Sequence, residues 1–527
     1  MSEKDLKAPH NSNAVRKVLI AGGGTAGWMT AAALSADLAD AGLEIELIES
    51  PEIGTIGVGE ATVPFIHVFN QMLGLDQADF MRHCNATFKL GIEFVNWRNV
   101  GDSYFHSFAH FGPNYKDVSF YHMYLRYAEL MAAQGTDTLL EDSNVGAIAA
   151  RHNRFRHPQA VEQTGLPSHF YAFHFDAALY ADYLRTYAIK RGVRHVSGRI
   201  VHVEQNAENG FIKSVRLQDG REFEADLFID CTGLHGLLIE KTLNSPYEEW
   251  THWLPCDRAI AVPCARVQAP TPYTKAIAEG SGWRWRIPLQ HRTGNGMVYS
   301  SAFAESDDAV EKKLLGALDG EPLAPPRRIK FTPGRRREVW IKNCVSIGLA
   351  SGFLEPLEST NIHLVQTSVF KLLTYFPDKN FDQSEIDSYN SEVELEIEQI
   401  RDFIVLHYKV TEREDTSFWK YCKYMSVPDS LQRRIDMFAP HGRLFIRPGE
   451  FFTYNSWLSV MHGQGLRANG LVPQIDRLTD EEIIAYFDAF NGRVRSAVNA
   501  MPLHGEYLRA FAGAPEISVA QRGAGAR

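Results

Sequence analysis

The stretch VLIAGGGTAGWMTAAALSA, residues 18–36, decides the fold. It joins an apolar run to an alanine-rich run through a cluster of glycines, and it carries no charge. Its length alone would suit a membrane span, but the glycine cluster favours a strand, a tight turn and a helix of small residues. A second strand, predicted at EIELIES in residues 44–50, completes a βαβ unit. We therefore expect an α/β fold that does not cross a membrane.

Three of these glycines have the spacing of a dinucleotide-binding loop. Gly22 permits the tight turn, Gly24 lets the backbone approach a pyrophosphate, and Gly27 permits close packing of helix on strand. The phosphates then lie at the helix N-terminus, where free N–H groups and the helix dipole favour an anion. A carboxylate that binds ribose is expected roughly 20 residues after the last glycine, and Glu49 ends the second strand there. The contacts predicted for this unit are Gly22, Gly24, Thr25, Ala26, Gly27 and Glu49.

The bulk composition excludes several classes of function. With 45% hydrophobic and 22% charged residues, the chain of 527 residues has the composition of an ordinary globular protein. A net charge of −10 and a pI near 6.1 give nucleic-acid binding no electrostatic support. The six cysteines are scattered without a C-x-x-C pair or a metal-like spacing, and the polar N-terminus lacks the apolar core of a signal peptide. These features predict a reduced, cytoplasmic protein without a metal site.

A chain of this length needs several packed layers, and its composition changes along its length. We expect disordered tails at residues 1–14 and 513–527, a cofactor-binding and substrate-sheet module at residues 15–400, and a mostly helical region that covers the substrate at residues 401–512.

The middle of the chain favours FAD over NAD as the dinucleotide. Asn209-Gly210 and Asp219-Gly220 predict hairpin turns, and ADLFIDCTG, residues 225–233, predicts a buried strand that runs into a glycine turn. Flavoproteins of the hydroxylase type carry such elements after their first βαβ unit. CVSIGLASGFLEPLESTNIHLVQ, residues 344–366, repeats the strand–glycine–helix pattern, which indicates either a flavin contact or an ordinary strand–helix turn. The further FAD contacts predicted here are Val203, Gly348, Leu349 and Ile362.

The stretch GWRWRIP, residues 282–288, alternates tryptophan with arginine. In an extended chain, Trp283 and Trp285 point to one face and the two arginines to the other. The pattern alone predicts a sheet strand with an aromatic inner face.

Four motifs together resemble the flavin-dependent halogenases, above all those of the tryptophan-halogenase type. They are GVGEATVP at 57–64, ATFKLGIEFVNW at 86–97, GWRWRIP at 282–288 and EPLEST at 355–360. The resemblance is dense from Val15 to Trp419, and the G-W-x-W-x-I-P motif separates halogenases from the related flavin hydroxylases. It implies a Rossmann-like FAD domain of the flavin monooxygenase type, with a mixed-sheet substrate region and a helical C-terminal region.

The resemblance also implies a reaction and its residues. Reduced FAD, O2 and chloride or bromide give hypohalous acid, which is guided to Lys89 and meets it either as a chloramine or as a hydrogen-bonded oxidant. Glu358 matches the acid that pairs with this lysine and takes the proton from the halogenated ring. Thr360 and Asn361 match the halide site, although glycine is usual at the second position. Reduced FAD comes from a separate NADH-dependent flavin reductase.

The substrate residues implied are His106, Phe108, Trp283, Trp285, Tyr454 and Trp457, each of which could also be an ordinary core residue. The C-terminal region lacks the tyrosine pair and the downstream acid with which family members hold free tryptophan. Since a buried ammonium without a carboxylate is costly, we expect indole, a substituted indole or an indole within a larger molecule.

Two other functions stay open at this point. A flavin-dependent aromatic monooxygenase would reduce its own flavin with NAD(P)H, and a flavin-bound protein without turnover would act as a sensor or an interaction partner. The sequence leaves the oligomeric state open, a homodimer included.

Overall fold

A computed structural model describes residues 13–39, 42–52, 59–158, 165–167 and 169–514. Most of the two predicted tails, at residues 1–12 and 515–527, and the start of the GVGEATVP motif lie outside the described residues. In chain order, the described strands are β1 (Lys17–Ala21), β2 (Glu44–Glu49), β3 (Glu60–Ala61), β4 (Thr87–Lys89), β5 (Gly91–Val95), β6 (Ser103–Ser107), β7 (Ala172–Phe175), β8 (Arg194–Ser197), β9 (Ile200–Gln205), β10 (Ile212–Leu217), β11 (Glu222–Glu224), β12 (Leu227–Asp230), β13 (Tyr247–Glu249), β14 (Arg258–Ala265), β15 (Thr274–Glu279), β16 (Gly282–Pro288), β17 (Arg292–Tyr299), β18 (Arg327–Lys330), β19 (Gly334–Arg336), β20 (Trp340–Ile341), β21 (Cys344–Ser346) and β22 (Gly352–Phe353).

The α-helices of the same residues are α1 (Thr25–Asp37), α2 (Ile66–Met72), α3 (Gln77–His83), α4 (Phe120–Ala133), α5 (Val145–Arg151), α6 (Ala177–Lys190), α7 (Asp307–Gly316), α8 (Asn361–Thr374), α9 (Gln383–Lys409), α10 (Ser417–Tyr424), α11 (Asp429–His441), α12 (Tyr454–Gly463), α13 (Asp480–Asn499) and α14 (His504–Ala512). Within the described ranges, no helix is both long and apolar enough to cross a membrane.

The predicted βαβ unit lies in a six-stranded sheet of order β20-β21-β12-β1-β2-β8. All neighbours in this sheet are parallel except β20 and β21. Strand β12 is buried along its whole length, as expected of a central parallel strand covered on both faces. Ala31, Ala32 and Ala33 of α1 are buried and let this helix pack closely on the sheet. The Rossmann-like fold predicted from the sequence is confirmed.

The two predicted hairpin turns are also confirmed. Strands β9, β10 and β11 form an antiparallel sheet, and Gly210 and Gly220 in its turns have φ of +68° and +88°. Only glycine adopts such backbone conformations at no steric cost.

The double-tryptophan stretch is strand β16, inside a seven-stranded mixed sheet of order β18-β14-β17-β16-β15-β5-β6. Trp283 and Trp285 face a core that also holds Phe403 and Ile404 of α9 and Trp419 of α10. A separate hydrophobic core lies between the six-stranded sheet and helices α1, α6 and α8, and helices α13 and α14 also pack against it.

The predicted boundaries at residues 14 and 400 differ from the structure. Helix α9 runs without a break through position 400, so no boundary falls there. At the N-terminus, Ala14 forms a β-bridge with Asp378, and the Lys379 N–H donates to the Asn13 carbonyl, which fixes two residues assigned to the tail.

Candidate active site

The glycine loop between β1 and α1 is built for close approach. Gly22 has φ of +111°, and a Cβ there would lie 2.3 Å from the Cys231 carbonyl oxygen. A Cβ on Gly27 would lie 1.9 Å from the Gly22 oxygen, whereas one on Gly24 would meet no atom within 4 Å. Helix α1 begins at Thr25 without a side-chain cap and without an acid in its first turn. Its free N–H groups therefore face an open side of the loop, as an anion-binding helix N-terminus requires.

Glu49 lies directly beside this loop. A Cβ on Gly23 would lie 2.3 Å from the carboxyl carbon of Glu49, and the carboxylate pairs with His195 at 3.1 Å. The acid at the end of β2 therefore lies beside the glycine loop, and its role as a ribose ligand stays a prediction.

The predicted loop around Gly348 packs against the glycine loop that precedes α1. Gly348 has φ of +77°, and a Cβ there would lie 2.9 Å from the Cβ of Ala26. Leu349 follows in a short 3-10 helix (Gly348–Ala350), and Ile362 lies in the first turn of α8. Val203 lies apart from them on β9 and packs against the cluster that contains Ala21 and Ile48, the residues that end the buried runs of β1 and β2.

Buried polar groups without partners lie near the second loop. The Thr360 hydroxyl and both amide atoms of Gln366 form no hydrogen bond in the described structure. Since buried polar groups are nearly always bonded, these atoms fit a site that a polar ligand completes. The two loops and these groups suit a dinucleotide cofactor.

Lys89 ends strand β4 and is fully buried. Its Nζ donates to the Thr62 carbonyl at 2.9 Å and to the Ser359 hydroxyl at 2.9 Å, and it lies 5.1 Å from the centre of the Phe108 ring. Burial lowers the pKa of Lys89 to about 7, against the charge of Glu358, which raises it. An amine with this pKa is partly neutral and nucleophilic at neutral pH.

Glu358 lies between two buried histidines. His106 Nδ1 approaches both carboxylate oxygens, at 2.9 and 3.0 Å, and His407 Nε2 lies 2.8 Å from Oε1. Burial alone would raise the pKa of Glu358, but His106 and His407 lower it to about 2. The other nitrogen of His407 bonds the Phe403 carbonyl at 2.8 Å. The two nitrogens of His407 therefore lie 2.8 Å from the Glu358 carboxylate and 2.8 Å from the Phe403 carbonyl, which orients the ring toward Glu358.

This arrangement corrects one expectation. Glu358 has its close side-chain contacts with His106 and His407 rather than with Lys89. Lys89 instead donates to Ser359, the neighbour of Glu358. Ser359 has φ of +62°, in the left-handed region, and this turn separates the two side chains.

The predicted halide residues lie at a helix N-terminus. Thr360 is the N-cap residue of α8 and is fully buried, and Asn361 is the first residue of that helix. No side chain caps the helix. Its first N–H groups and the helix dipole make this end attractive to a small anion.

Of the two tryptophans of β16, Trp283 is hydrogen-bonded to the same turn through Glu355. Trp283 Nε1 donates to Glu355 Oε2 at 2.7 Å, and the Tyr408 hydroxyl donates to the same oxygen at 2.5 Å. Burial raises the pKa of Glu355 to about 7, although the bonds from Tyr408 and Trp283 lower it. Trp285 fits against the neighbouring strand because Gly296 has no side chain: a Cβ there would lie 2.1 Å from the indole ring.

An aromatic cluster separates this centre from a cavity of about 390 Å³. Phe403 lies 5.6 Å from His106 by ring centroids, stacks on Phe452 at 3.7 Å and lies 4.9 Å from Trp457. Phe452 and Trp457 also line the cavity, which lies among α9, α11 and the segment 445–457. Tyr454 packs against the core that contains Trp283 and Trp285, and it does not line this cavity.

The structure adds residues that sequence reasoning missed, namely His407, Phe403, Tyr408 and Glu355. The first three lie on one face of α9 at spacings of one, four and five residues, where they read as ordinary core positions. Glu355 carried a usable signal, because it stands beside Glu358 in EPLEST.

Comparison with known proteins gives a consistent result. A family model described as tryptophan halogenase matches residues 17–480. Tryptophan 7-halogenase RebH of Lentzea aerocolonigenes is 36% identical, over 94% of this chain and 99% of its own length. Tryptophan 6-halogenase ThaL of Streptomyces albogriseolus is 35% identical, over 88% of this chain and 92% of its own length.

Solved structures agree with this match. Xcc4156, a flavin-dependent halogenase from Xanthomonas campestris, superposes with a TM-score of 0.90 and is 45% identical, covering 96% of this chain and 100% of that chain. BrvH, a flavin-dependent halogenase from Brevundimonas sp. BAL3, also has a TM-score of 0.90, with 41% identity over 94% of this chain and 99% of that chain.

Proposed function

Because the chain belongs to the tryptophan halogenase family, we propose that it is an FAD-dependent enzyme that halogenates an indole-type aromatic substrate. The single observation that carries this proposal is the buried amine of Lys89, which donates to Ser359 beside an ionised Glu358.

The residues that would hold FAD form two adjoining groups. The N–H groups at the start of α1 would hold the pyrophosphate, with Gly22, Gly24, Thr25, Ala26 and Gly27 around them, and Glu49 would bind the ribose. Gly348, Leu349 and Ile362 would contact the flavin, and Val203, which lies apart on the neighbouring small sheet, would contribute from there. When bound in its reduced form, FAD supplies, with O2 and a halide, the hypohalous acid for the reaction.

The halide binds at the start of α8. The N–H groups after Thr360 and Asn361 are its donors, and the dipole of a helix of 14 residues favours its charge. The protein can thereby hold a small anion without a buried cationic side chain.

Lys89 meets hypohalous acid by one of two routes, according to the protonation of its amine. In its neutral form, the amine displaces hydroxide from hypohalous acid, so that an N–halogen bond forms, the oxygen–halogen bond breaks and water leaves with the amine proton. In its charged form, the same group donates a hydrogen bond that polarises the oxidant. Both routes need a Lys89 Nζ that faces the substrate, and the Phe108 ring 5.1 Å away marks that side.

Glu358 removes the ring proton. Halogenation leaves a cationic ring with one proton too many, and an ionised carboxylate is the base that restores aromaticity. The low pKa of Glu358 keeps it ionised, and His106 and His407 stabilise that charge. Of the substrate residues expected from the sequence, His106 and Phe108 lie beside Glu358 and Lys89, and Trp457 lines the cavity. Trp283, Trp285 and Tyr454 support the substrate region from the core.

The experiment combines the protein, FAD, a separate NADH-dependent flavin reductase, and indole with bromide or chloride. Mass spectrometry reads the product. We expect a halogen isotope pattern that disappears in Lys89→Ala and persists in Lys312→Ala, which alters an exposed lysine of α7. A product that gains one oxygen without halide dependence would instead identify an aromatic hydroxylase, an alternative that the family match does not favour.

A further inference from the structure

The cavity beside the aromatic cluster has a charged mouth and an aromatic inner wall. Its acidic lining residues are Asp402 on α9 and Glu450, and its basic lining residues are Arg433, Arg434 and Arg447. A volume of about 390 Å³ lies within the range of small-molecule sites.

Both carboxylates of the cavity already have guanidinium partners. Glu450 forms a bidentate salt bridge with Arg434, with N–O distances of 2.6 and 3.1 Å. Asp402 accepts two bonds from Arg401, at 2.9 and 3.1 Å, and one from the Ser430 hydroxyl at 2.5 Å. A substrate ammonium would have to compete with an arginine for either acid. The cavity is therefore poorly suited to an amine.

Two arginines of the cavity have no such partner. Neither Arg433 nor Arg447 forms an ion pair within the part of the chain that the structure describes, and both side chains are exposed at the mouth. Planar guanidinium groups match the geometry of a carboxylate. Exposed Met437 and Phe445 lie beside them and offer apolar contacts to a hydrocarbon linker.

The inner wall holds a second sign of a bound ligand. Trp457 is 2% exposed, and its Nε1 has no acceptor among the described residues. The Arg434 guanidinium lies 4.1 Å from the centre of its ring, so the indole is fixed in place. Through Phe403, this wall leads to His106 and Glu358.

We propose that the substrate is an indole whose side chain ends in an acid and lacks an amine. Its acid group binds Arg433 and Arg447 at the mouth, and its ring lies toward Phe403 and His106. The proposal rests on the proposed function and specifies its substrate class.

The test compares four substrates under the halogenation conditions above: indole-3-propionate, which has only the acid, tryptamine, which has only the amine, tryptophan, which has both, and indole, which has neither. We expect kcat/KM for bromination of indole-3-propionate to exceed that for tryptamine by about tenfold. Because the arginines are exposed, the preference should weaken as salt is raised from about 0.05 to 0.5 M. In Arg433→Gln/Arg447→Gln, the ratio should fall to within about twofold of one.

Arg443→Gln is the matched control, because it removes an exposed arginine four residues before Arg447 that does not line the cavity. This variant should keep the ratio. Equal or better turnover of tryptamine in the wild type, or a ratio that survives the double substitution, would overturn the proposal.

Isothermal titration calorimetry with oxidised FAD present separates this proposal from the proposed function. Indole-3-propionate should bind more tightly than tryptamine by a similar factor, and the double variant should lose the difference. Binding of the acid without any brominated product would refute halogenation while leaving the assignment of the cavity. Product without a preference for the acid would refute the cavity alone.

Discussion

Replacing Lys89 with methionine should abolish halogenation and yet stabilise the fold at pH 7. The side chain is fully buried among neutral acceptors, and burial lowers its pKa to about 7 from an ordinary 10.5. The unfolded chain keeps this lysine charged at pH 7, so folding must desolvate an amine and release part of its proton. Methionine has a similar length, is flexible and has no charge to desolvate.

The magnitude follows from the difference in pKa. One pKa unit corresponds to about 1.4 kcal/mol, so a difference of about 3.5 units makes Lys89 cost about 4 kcal/mol of stability at pH 7. The substitution also removes the bonds to the Thr62 carbonyl and the Ser359 hydroxyl, at about 1 kcal/mol each. The expected net gain is about 2 kcal/mol at pH 7.

The sign of the pH dependence is fixed by proton binding. Between pH 7 and 10.5 the unfolded chain binds a proton on Lys89 that the folded protein does not bind, so the stability of the wild type rises with pH in this window. The cost of Lys89 falls to about 2 kcal/mol at pH 9, which the lost hydrogen bonds offset. The advantage of the variant should therefore disappear near pH 9.

Urea denaturation at pH 7 and pH 9, followed by tryptophan fluorescence, measures both values. Lys312→Met, at an exposed lysine of α7, is the control and should change the midpoint little at either pH. A Lys89→Met variant that is less stable than the wild type at pH 7 would refute the reasoning. So would an advantage of equal size at both pH values, because a desolvated charge must produce a pH dependence.

Four other variants test individual roles. Glu358→Gln should slow bromination of indole by about 10² to 10³-fold in single-turnover assays, because an amide cannot accept the ring proton. Asn361→Asp should raise the KM for bromide at least about tenfold in steady-state assays, because it puts a negative charge beside the halide. Trp283→Phe with Trp285→Phe should add a hydroxylated product, detected by mass spectrometry, if the tryptophans keep hydroxylation from competing. Glu355→Leu should act in the same direction, because it removes the acceptor that orients Trp283.

Each of these has a control that separates its role from folding. Glu358→Asp keeps a carboxylate and should retain more activity than the amide. Asn361→Gly keeps the backbone N–H and should leave the KM for bromide within about threefold, a change that a lost donor would exceed. Glu355→Gln keeps an acceptor for Trp283. Full bromination without any hydroxylated product in the double tryptophan variant would contradict the role given to that pair.

The parts of the fold that the sequence predicted are those with local signals. The glycine loop, the β9–β11 hairpins and strand β16 can each be predicted from about ten residues. Their signals are glycines, which permit positive φ, or the alternation of side chains along a strand. The boundary expected at residue 400 failed for the opposite reason. Helix α9 has 27 residues, mostly exposed in its first part and mostly buried in its last part. The composition of the sequence changes with this burial, and such a change cannot be distinguished from the end of a module.

In the active site, too, the residues in local motifs were predicted and their tertiary partners were not. Lys89 and Glu358 were predicted because their motifs are compact, whereas their partners were not. His407 lies 49 positions beyond Glu358, and only the packing of α9 against the EPLEST turn brings them together. The partner of a buried charge is chosen by tertiary structure, so a motif identifies the reactive group more readily than its protonation state.

The protonation states follow from which partners the fold gives to each group. Lys89 has only the neutral oxygens of Thr62 and Ser359 as acceptors, so its desolvation outweighs the attraction of Glu358. Glu358 is just as buried, but it has two imidazoles beside it. Their effect outweighs the desolvation of the carboxylate and lowers its pKa. Had the two groups paired directly, each would have stabilised the charge of the other, and the amine would be a poor nucleophile at neutral pH. Histidines beside the carboxylate and neutral oxygens around the amine leave both pKa values below their ordinary ones, so that a partly neutral amine can receive the halogen and an ionised base can take the proton.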